Sequence, residues 1–187
     1  LFAFHDVLGK GVPFAGRAVQ FAQADAGVDM SQLMSRVDLS ELVEMSLLQF
    51  EAVAFERGLV IEDEIEPGLV LTGDAVRLEG LLKTLLENAC KYSPKPGTIS
   101  VRLARAKHNA AQLSVRNAGD PIPPQDLPHL FDRFYRSDKS RVREGETASF
   151  GLGLSIAKST AELHGGRIEV QSDASATTFT VTLPLAK

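Results

Sequence analysis

A row of polar side chains runs along the edge of an otherwise apolar helix pattern in residues 75–92. Leucines and an alanine recur there at i, i+3, i+4 and i+7 spacing, which predicts a packed helix. Thr84, Asn88, Lys91 and Tyr92 follow one another at helical spacing beside that apolar stripe. An amide, an ammonium and a phenol at the edge of a buried face are costly unless they meet polar partners. Asn88 therefore either bonds a neighbouring loop or contributes to a ligand site.

Two later segments contain glycines where a ligand could approach the backbone. Asn117-Ala-Gly119-Asp-Pro-Ile122 follows a predicted strand, and the Asn117 amide could read the edge of a base. Gly151-Leu-Gly153-Leu154 lies where a loop enters a helix, and backbone N–H groups at a helix start favour an anion. Each segment alone is a weak signal. The chain has no GxxxxGK[ST] motif and no strand-linked GxGxxG motif, which excludes a P-loop protein and a Rossmann dinucleotide site.

Composition limits the remaining functional classes. The 187 residues are 44% hydrophobic, enough for one full core, and the net charge of −4 provides no global field for nucleic acid or an anionic membrane. A single cysteine, Cys90, excludes an internal disulfide and a cysteine-based zinc site. No apolar run reaches the ~18 residues that span a bilayer. Because the chain begins at Leu1 and lacks a signal-peptide pattern, we expect it to be a fragment of a longer protein.

The periodicities predict a two-layer α/β (α+β) sandwich, with an antiparallel-rich sheet of about five strands against three helices. Asp38 and Asp74 occupy N-cap positions of the first two helices. The long polar segment 117–150, with a short helical patch at 127–135, is typical of a lid. The predicted helices are residues 38–57, 75–92 and 151–164, and the predicted strands lie at 59–65, 69–72, 99–103, 113–115, 168–170 and 179–183.

The order of four motifs gives a more specific signal than any one of them. ENACKY, NAGDPI, LFDRFYR and FGLGLSIAK follow one another along residues 38–185. This order resembles the catalytic ATP-binding domain of sensor histidine kinases, in the superfamily that also contains gyrase, Hsp90 and MutL. The stretch 117–138 is most similar to the heavy-metal-sensor-like branch.

The resemblance implies a role for each matching residue of the first two motifs. Asn88 matches the asparagine whose side-chain oxygen coordinates Mg²⁺ between the phosphates, a hard oxygen ligand of the kind that Mg²⁺ prefers. Lys91 matches a residue that contacts phosphate, and Tyr92 the aromatic residue that packs against adenine. Asn117 stands where the family usually has the aspartate that accepts from the adenine amino group.

The remaining motifs complete the implied nucleotide site. Gly119 and Ile122 match the glycine and the apolar floor beside the adenine. Phe131 and Phe134 match the two phenylalanines of the family's F-box motif, and Arg136 matches an arginine of the lid that reaches phosphate. Gly151, Gly153 and Leu154 match the family's glycine-rich G2-box at the helix entry.

The implied activity is transfer of the γ-phosphoryl group of Mg·ATP to a histidine on a separate dimerisation domain, and from there to a response regulator. The implied cofactors are ATP and Mg²⁺, with ADP as product; no residue of this chain is assigned as a catalytic base. The chain is expected to be a cytoplasmic domain of a membrane-anchored sensor, without direct contact to membrane or nucleic acid. Residues 38–187 are predicted to form the ATP-binding domain. Residues 1–37 are predicted to form a linker that includes a candidate dimerisation-helix tail at 16–27.

Departures from the family pattern leave two alternatives open. Asn117, Pro121 and Thr147-Ala148 replace residues usual in the family, which favours a regulatory module with weak or no nucleotide binding. The second alternative is a gyrase- or Hsp90-type ATPase, but Thr84 stands where those relatives carry the glutamate that activates water. His5, the nearest candidate acceptor histidine, lies beside Gly9 and Gly11, which interrupt a helix.

Overall fold

The helices and the sheet form two layers, as the sequence predicts. The structure, a computed structural model, describes residues 34–135 and 151–187. Its helices are α1 (Leu39–Glu56), α2 (Ala75–Tyr92) and α3 (Gly153–Leu163). Its strands are β1 (Ser35–Asp38), β2 (Leu59–Ile65), β3 (Val70–Gly73), β4 (Gly97–Ala106), β5 (Ala110–Asn117), β6 (Arg167–Ser172) and β7 (Thr177–Pro184).

The main sheet is mixed rather than purely antiparallel. Its five strands run in the order β2-β4-β5-β7-β6, and β2 pairs with β4 in parallel while the other pairs are antiparallel. Parallel neighbours need a long crossover connection, and β3 with α2 provides it. The consecutive strands β4–β5 and β6–β7 form antiparallel hairpins.

Two aspartates begin the first two helices at the predicted positions. The Asp38 carboxylate accepts from the backbone N–H groups of Ser40 and Glu41. Asp74 does the same for Val76 and Arg77. Each cap stabilises its helix by about 1 kcal/mol because it satisfies N–H groups that have no partner within the helix.

One helical prediction is wrong in extent. Of the patch predicted at 127–135, only Leu127–His129 forms a single turn of 3-10 helix. Strand β1, which the sequence analysis does not predict, pairs antiparallel with β3 in a separate two-stranded ribbon. The division between residues 1–37 and 38–187 remains a prediction, since residues 1–33 lie outside the described ranges.

The core lies between the helices and one face of the main sheet. Helix α2 contributes its apolar stripe, including the fully buried Leu82, Leu85 and Leu86, against Val101 and Val115 of the central strands. No helix within the described ranges is long and apolar enough to cross a membrane.

Candidate functional site

The Asn88 side chain has one end fixed by its own helix. Its Nδ2 donates to the backbone oxygen of Thr84 at 3.0 Å, and the Thr84 hydroxyl donates to Gly80 O at 2.9 Å. Asn88 is half-buried at the edge of the apolar stripe. Since the nitrogen of the amide is bound to the helix, Oδ1 is the atom left to face a ligand.

The last turn of α2 places two further predicted residues at the surface. Lys91 and Tyr92 are both exposed, and the Lys91 ammonium lies 5.3 Å from the centroid of the Tyr92 ring. This is within the range of a cation–π contact. The Ser93 hydroxyl and N–H both bond Ala89 O, which ends the helix directly after Tyr92. A cation and an aromatic ring therefore stand together one turn beyond Asn88.

The segment that follows β5 packs directly on this end of α2. A Cβ atom at Gly119 would lie 2.8 Å from the backbone oxygen of Tyr92, so only glycine allows the approach. Asn117, the last residue of β5, is 5% exposed, and its Nδ2 donates to Ala118 O at 2.8 Å. As with Asn88, this bond leaves the amide oxygen available.

Ile122 is held from the opposite side of the same segment. Its backbone N–H donates to the Ser172 hydroxyl at 2.9 Å, and Ser172 in turn lies 2.7 Å from the Thr177 hydroxyl. The segment from Asn117 to Ile122 is thus fixed at one end by α2 and at the other by the β6–β7 hairpin. Ser172 was not predicted as part of the site, because nothing in its sequence neighbourhood indicates which loop its hydroxyl bonds.

The two predicted phenylalanines have different environments. Phe131 is half-buried and meets the Phe179 ring edge to face at a centroid distance of 6.4 Å. Phe134 is exposed, with a positive φ of 65°, and its N–H donates to Gly151 O at 3.0 Å. A Cβ atom at Gly151 would lie 2.8 Å from Tyr135 O. The two ends of the long segment therefore meet at Phe134 and Gly151; Arg136 itself lies outside the described residues.

Helix α3 begins beside the turn of α2 that precedes Asn88. A Cβ atom at Gly153 would lie 3.1 Å from the Thr84 side chain, so the small residue allows close contact between the helices. No side chain caps this helix start: the N-cap residue, Leu152, has no side-chain hydrogen bond to it. Leu154 is half-buried and packs against the core. The N–H groups of the first turn are therefore suited to an anionic ligand.

Two ionisable side chains close to Asn88 on α2, Glu87 and Cys90, have shifted pKa values. Burial raises the pKa of the Glu87 carboxyl, and the nearby cations Lys83 and Arg57 oppose that rise. Burial also raises the pKa of the Cys90 thiol, whose side chain lies in the core. Among the described residues, no group of three or more His, Cys, Asp or Glu side chains could hold a metal ion.

The described predicted residues thus come from four segments: the segment after β5 and the start of α3 each contact the C-terminal half of α2, and Phe134 bonds Gly151 just before α3. The shared features of these segments are close backbone approach at glycines and amide oxygens left available by local hydrogen bonds. The contact of His164 with α2 was not predicted either: its Nε2 accepts from the backbone N–H of Asp74 at 2.9 Å.

Comparisons with known proteins agree with this arrangement. A solved structure described as mycobacterial sensor histidine kinase MprB superposes with a TM-score of 0.70 at 29% identity, over 81% of this chain and 97% of that one. Sensor histidine kinase CusS of Escherichia coli (strain K12) is 44% identical over 135 residues, which are 72% of this chain and 27% of CusS. Sensor histidine kinase YkoH of Bacillus subtilis (strain 168) is 37% identical over 151 residues, 81% of this chain and 31% of YkoH.

The chain spans about 27–31% of the length of these two curated relatives. The comparisons confirm the predicted resemblance to sensor histidine kinases and support the heavy-metal-sensor-like branch. The model of the family described as histidine kinase-, DNA gyrase B- and HSP90-like ATPases matches residues 73–187, from the end of β3 through β7. This chain belongs to that family.

Proposed function

We propose that this chain binds Mg·ATP beside the C-terminal half of α2 and donates the γ-phosphoryl group to a histidine on a separate dimerisation domain. The observation that carries the proposal is that the segment after β5 and the start of α3 both contact the C-terminal half of α2, where the Asn88 amide oxygen is left for a ligand. The names of the curated relatives, sensor histidine kinases, support the same activity.

Magnesium fits the donor set at Asn88. An amide oxygen is a hard ligand, and Mg²⁺ is commonly held by few protein oxygens together with phosphate oxygens and water. Asn88 would hold the ion, which would supply positive charge to neutralise the phosphates. The contribution of the chain is to fix Oδ1 of Asn88, which the bond from Nδ2 to Thr84 O accomplishes.

The phosphates are proposed to lie between the start of α3 and the end of α2. Gly151 and Gly153 bring the backbone close, and the uncapped first turn of α3 offers N–H groups and the positive end of the helix dipole. Lys91, at the exposed end of α2, supplies a positive charge to the same region. Arg136 is proposed as a further phosphate ligand through the family resemblance.

The adenine is proposed to lie against the segment after β5. Oδ1 of Asn117 would accept from the exocyclic amino group, since Nδ2 of the same amide already donates to Ala118 O. The close approach of Gly119 to Tyr92 O holds the segment after β5 against the end of α2, beside the proposed adenine position. Apolar surface would come from the half-buried and exposed side chains of this region; these are Tyr92, Ile122, Phe131, Phe134 and Leu154.

Catalysis in this proposal consists of positioning and charge neutralisation, with the nucleophile supplied by another domain. The Thr84 hydroxyl, at the position of the hydrolytic glutamate in gyrase-type relatives, bonds Gly80 O and provides no base for water. This disfavours an intrinsic ATPase. The proposed partners are ATP and ADP, the dimerisation domain of the whole protein and, through it, a response regulator. The proposed location is the cytoplasmic side of a membrane-anchored sensor.

Calorimetric titration of the chain with ATP, in Mg²⁺ and in EDTA, tests the nucleotide site. We expect binding in Mg²⁺, a large loss for Asn88→Ala in Mg²⁺ with a small one in EDTA, and a milder loss for Asn88→Asp, which keeps an oxygen ligand. Gln49→Ala, which removes an exposed amide from α1, is the matched control and should bind as the native chain does. Absence of heat and of any thermal shift at millimolar Mg·ATP would refute nucleotide binding; an equal loss with and without metal would refute the metal role of Asn88.

Phosphoryl transfer is tested separately with γ-labelled ATP. The chain alone should acquire no acid-labile label, and the chain mixed with the dimerisation domain of its whole protein should transfer label to a histidine there. Nucleotide binding without any transfer to that domain would favour the regulatory-module alternative.

A further inference from the structure

Helix α1 carries an apolar stripe on its solvent side. Met45, Leu48 and Phe55 are 60%, 61% and 82% exposed, with the small Ala52 between them. Their positions are separated by three, four and three residues, so they share one face of the helix. The face that packs on the core lies on the opposite side and consists of Leu39, Val43, Leu47, Phe50 and Ala54.

This stripe has the form of a helix-docking surface. Single exposed apolar residues are ordinary, but a row of three large ones in line on one helix is a contiguous patch that covering would stabilise. Anchors at i, i+3, i+7 and i+10 are the spacing that a second helix uses when it packs along the first. Nothing in the described part of the chain covers the row, because its side chains remain exposed.

Charge around the stripe indicates what kind of helix would fit. Helix α1 contains four glutamates, all exposed, and neither lysine nor arginine; they are Glu41, Glu44, Glu51 and Glu56. At 100° per residue, Glu44 and Glu51 flank one side of the stripe and Glu56 the other. The neighbouring edge strand β2 carries one further exposed carboxylate, Asp63, on the face of the sheet that the helices cover. The rim is therefore acidic on both sides.

We infer that the outer face of α1 docks a basic amphipathic helix of a partner polypeptide, whose apolar side covers Met45, Leu48 and Phe55 and whose lysines or arginines face the glutamate rim. Acidic rims on both partners disfavour a second copy of this chain, because like charges would meet across a two-fold axis. An anionic membrane is disfavoured for the same reason. Residues 1–33 do not carry the complementary charge, since they contain two basic residues against three acidic ones.

This surface is independent of the proposed nucleotide site. The stripe lies on the side of α1 that faces away from the core, whereas the nucleotide site is built on α2, α3 and the segment after β5. A failure to bind ATP would therefore leave the docking inference untouched, and loss of docking would leave nucleotide binding intact.

The test uses a labelled helical peptide as long as α1, 18 residues, built only of leucine and lysine in an amphipathic pattern. The matched probe has the same leucine pattern with glutamate in place of lysine. Binding is followed by fluorescence anisotropy at two salt concentrations. The variants are Leu48→Ser with Phe55→Ser, which removes the anchors, and Glu44→Lys with Glu51→Lys, which reverses the rim. Val76→Ser, at an equally exposed valine (60%) on α2, is the control.

We expect the native chain and the Val76→Ser control to bind the leucine–lysine peptide and not the leucine–glutamate peptide. Removal of the two anchors should weaken binding by about tenfold or more, as for central apolar contacts of an interface. Reversal of the rim should weaken it most at low salt, because the screening length is then longest. Thermal melts of all variants establish that each remains folded.

Three results would overturn the inference. Equal binding of both peptides would remove the role of charge, and binding unchanged in the anchor variant would place the peptide elsewhere. Sedimentation of the native chain as a dimer that the Leu48→Ser and Phe55→Ser substitutions dissociate would make a second copy the occupant instead.

Discussion

His164 forms a buried link between the end of one helix and the beginning of another. It follows directly on α3 and is only 6% exposed. Its Nε2 accepts from the backbone N–H of Asp74 at 2.9 Å, and its Nδ1 lies 2.7 Å from Thr160 O. Because the Asp74 partner is a donor, Nε2 must be unprotonated and Nδ1 carries the hydrogen. The ring fits since Gly73 has no side chain; a Cβ atom there would lie 2.6 Å from Cδ2 of His164.

Replacement of His164 by leucine should cost about 1–3 kcal/mol of unfolding free energy, because the buried N–H of Asp74 would lose its acceptor while much of the volume is kept. That is a large share of the stability of an ordinary domain. His164→Gln should recover part of the loss, since its side-chain oxygen can reach the same donor. His129→Leu is the matched control: His129 is exposed and pairs with Asp132 at the surface, so its loss should stay within about 0.5 kcal/mol.

Urea unfolding followed by circular dichroism measures all four proteins. The reasoning is refuted if His164→Leu costs no more than His129→Leu, or if glutamine is as damaging as leucine, because the cost would then not come from the Asp74 hydrogen bond. A change in the slope of the denaturant dependence would indicate a changed compactness of the denatured or folded state or a loss of two-state behaviour, so the comparison is made between proteins with equal slopes.

Three further predictions concern single side chains. Asn117→Asp should raise the ATP-to-GTP affinity ratio by up to about tenfold, because a charge-assisted bond to the adenine amino group replaces a neutral one; an unchanged ratio in competition binding would mean that Asn117 does not face the base. Hydrogen bonds from the Ser175 hydroxyl and from backbone N–H groups lower the pKa of Asp173 below 3.8. Asp173→Asn should therefore destabilise the chain above that pH, and the difference in urea midpoint from the native chain should vanish as the pH falls through the lowered pKa, where the native aspartate is also neutral. Gly119→Ala should weaken nucleotide binding in titrations, because its Cβ would meet a backbone oxygen at 2.8 Å. Gly80→Ala, which has open space inside α2, should instead raise the stability in thermal melts by about 0.5–1 kcal/mol. Native affinity of Gly119→Ala together with weakened binding by Gly80→Ala would contradict the close approach at Gly119.

Local patterns were sufficient to predict the helices because each has its own start and stop signals. Helix α2 begins after its Asp74 cap and ends at Tyr92, before Pro94, at the predicted bounds. Strand β1 was missed because four residues, Ser35–Asp38, carry no alternating pattern and owe their conformation to pairing with β3. The parallel pairing of β2 with β4 likewise depends on where the crossover places the strands, which no local pattern specifies.

For the candidate site as well, local sequence predicted some features and not others. The residue types that can bind a nucleotide were visible in the order of the motifs, and the structure brings the described ones together. The contacts that hold those residues in place were not visible in the sequence. The Ser172 hydroxyl, for example, accepts a hydrogen bond from the Ile122 N–H, although the two residues are fifty positions apart. The ring of His164 likewise accepts from the backbone at the start of α2, ninety residues earlier in the chain. Such partners depend on packing between distant elements, so they require coordinates.

Helices α2 and α3 contact each other at two points, and the length of helix between these points is similar in both helices. Gly153 packs on Thr84 at one point and His164 bonds Asp74 at the other, so the helices run antiparallel over about 15 Å. Between them, these contacts fix the register of the two helices and thereby the distance from Asn88 to the Gly151–Gly153 turn. If the nucleotide binds as proposed, a change at His164 should weaken Mg·ATP binding even though the ring lies at the far end of the pair. A His164→Leu protein that remains folded, loses stability and binds Mg·ATP as the native chain does would show that the glycine contact alone sets the register.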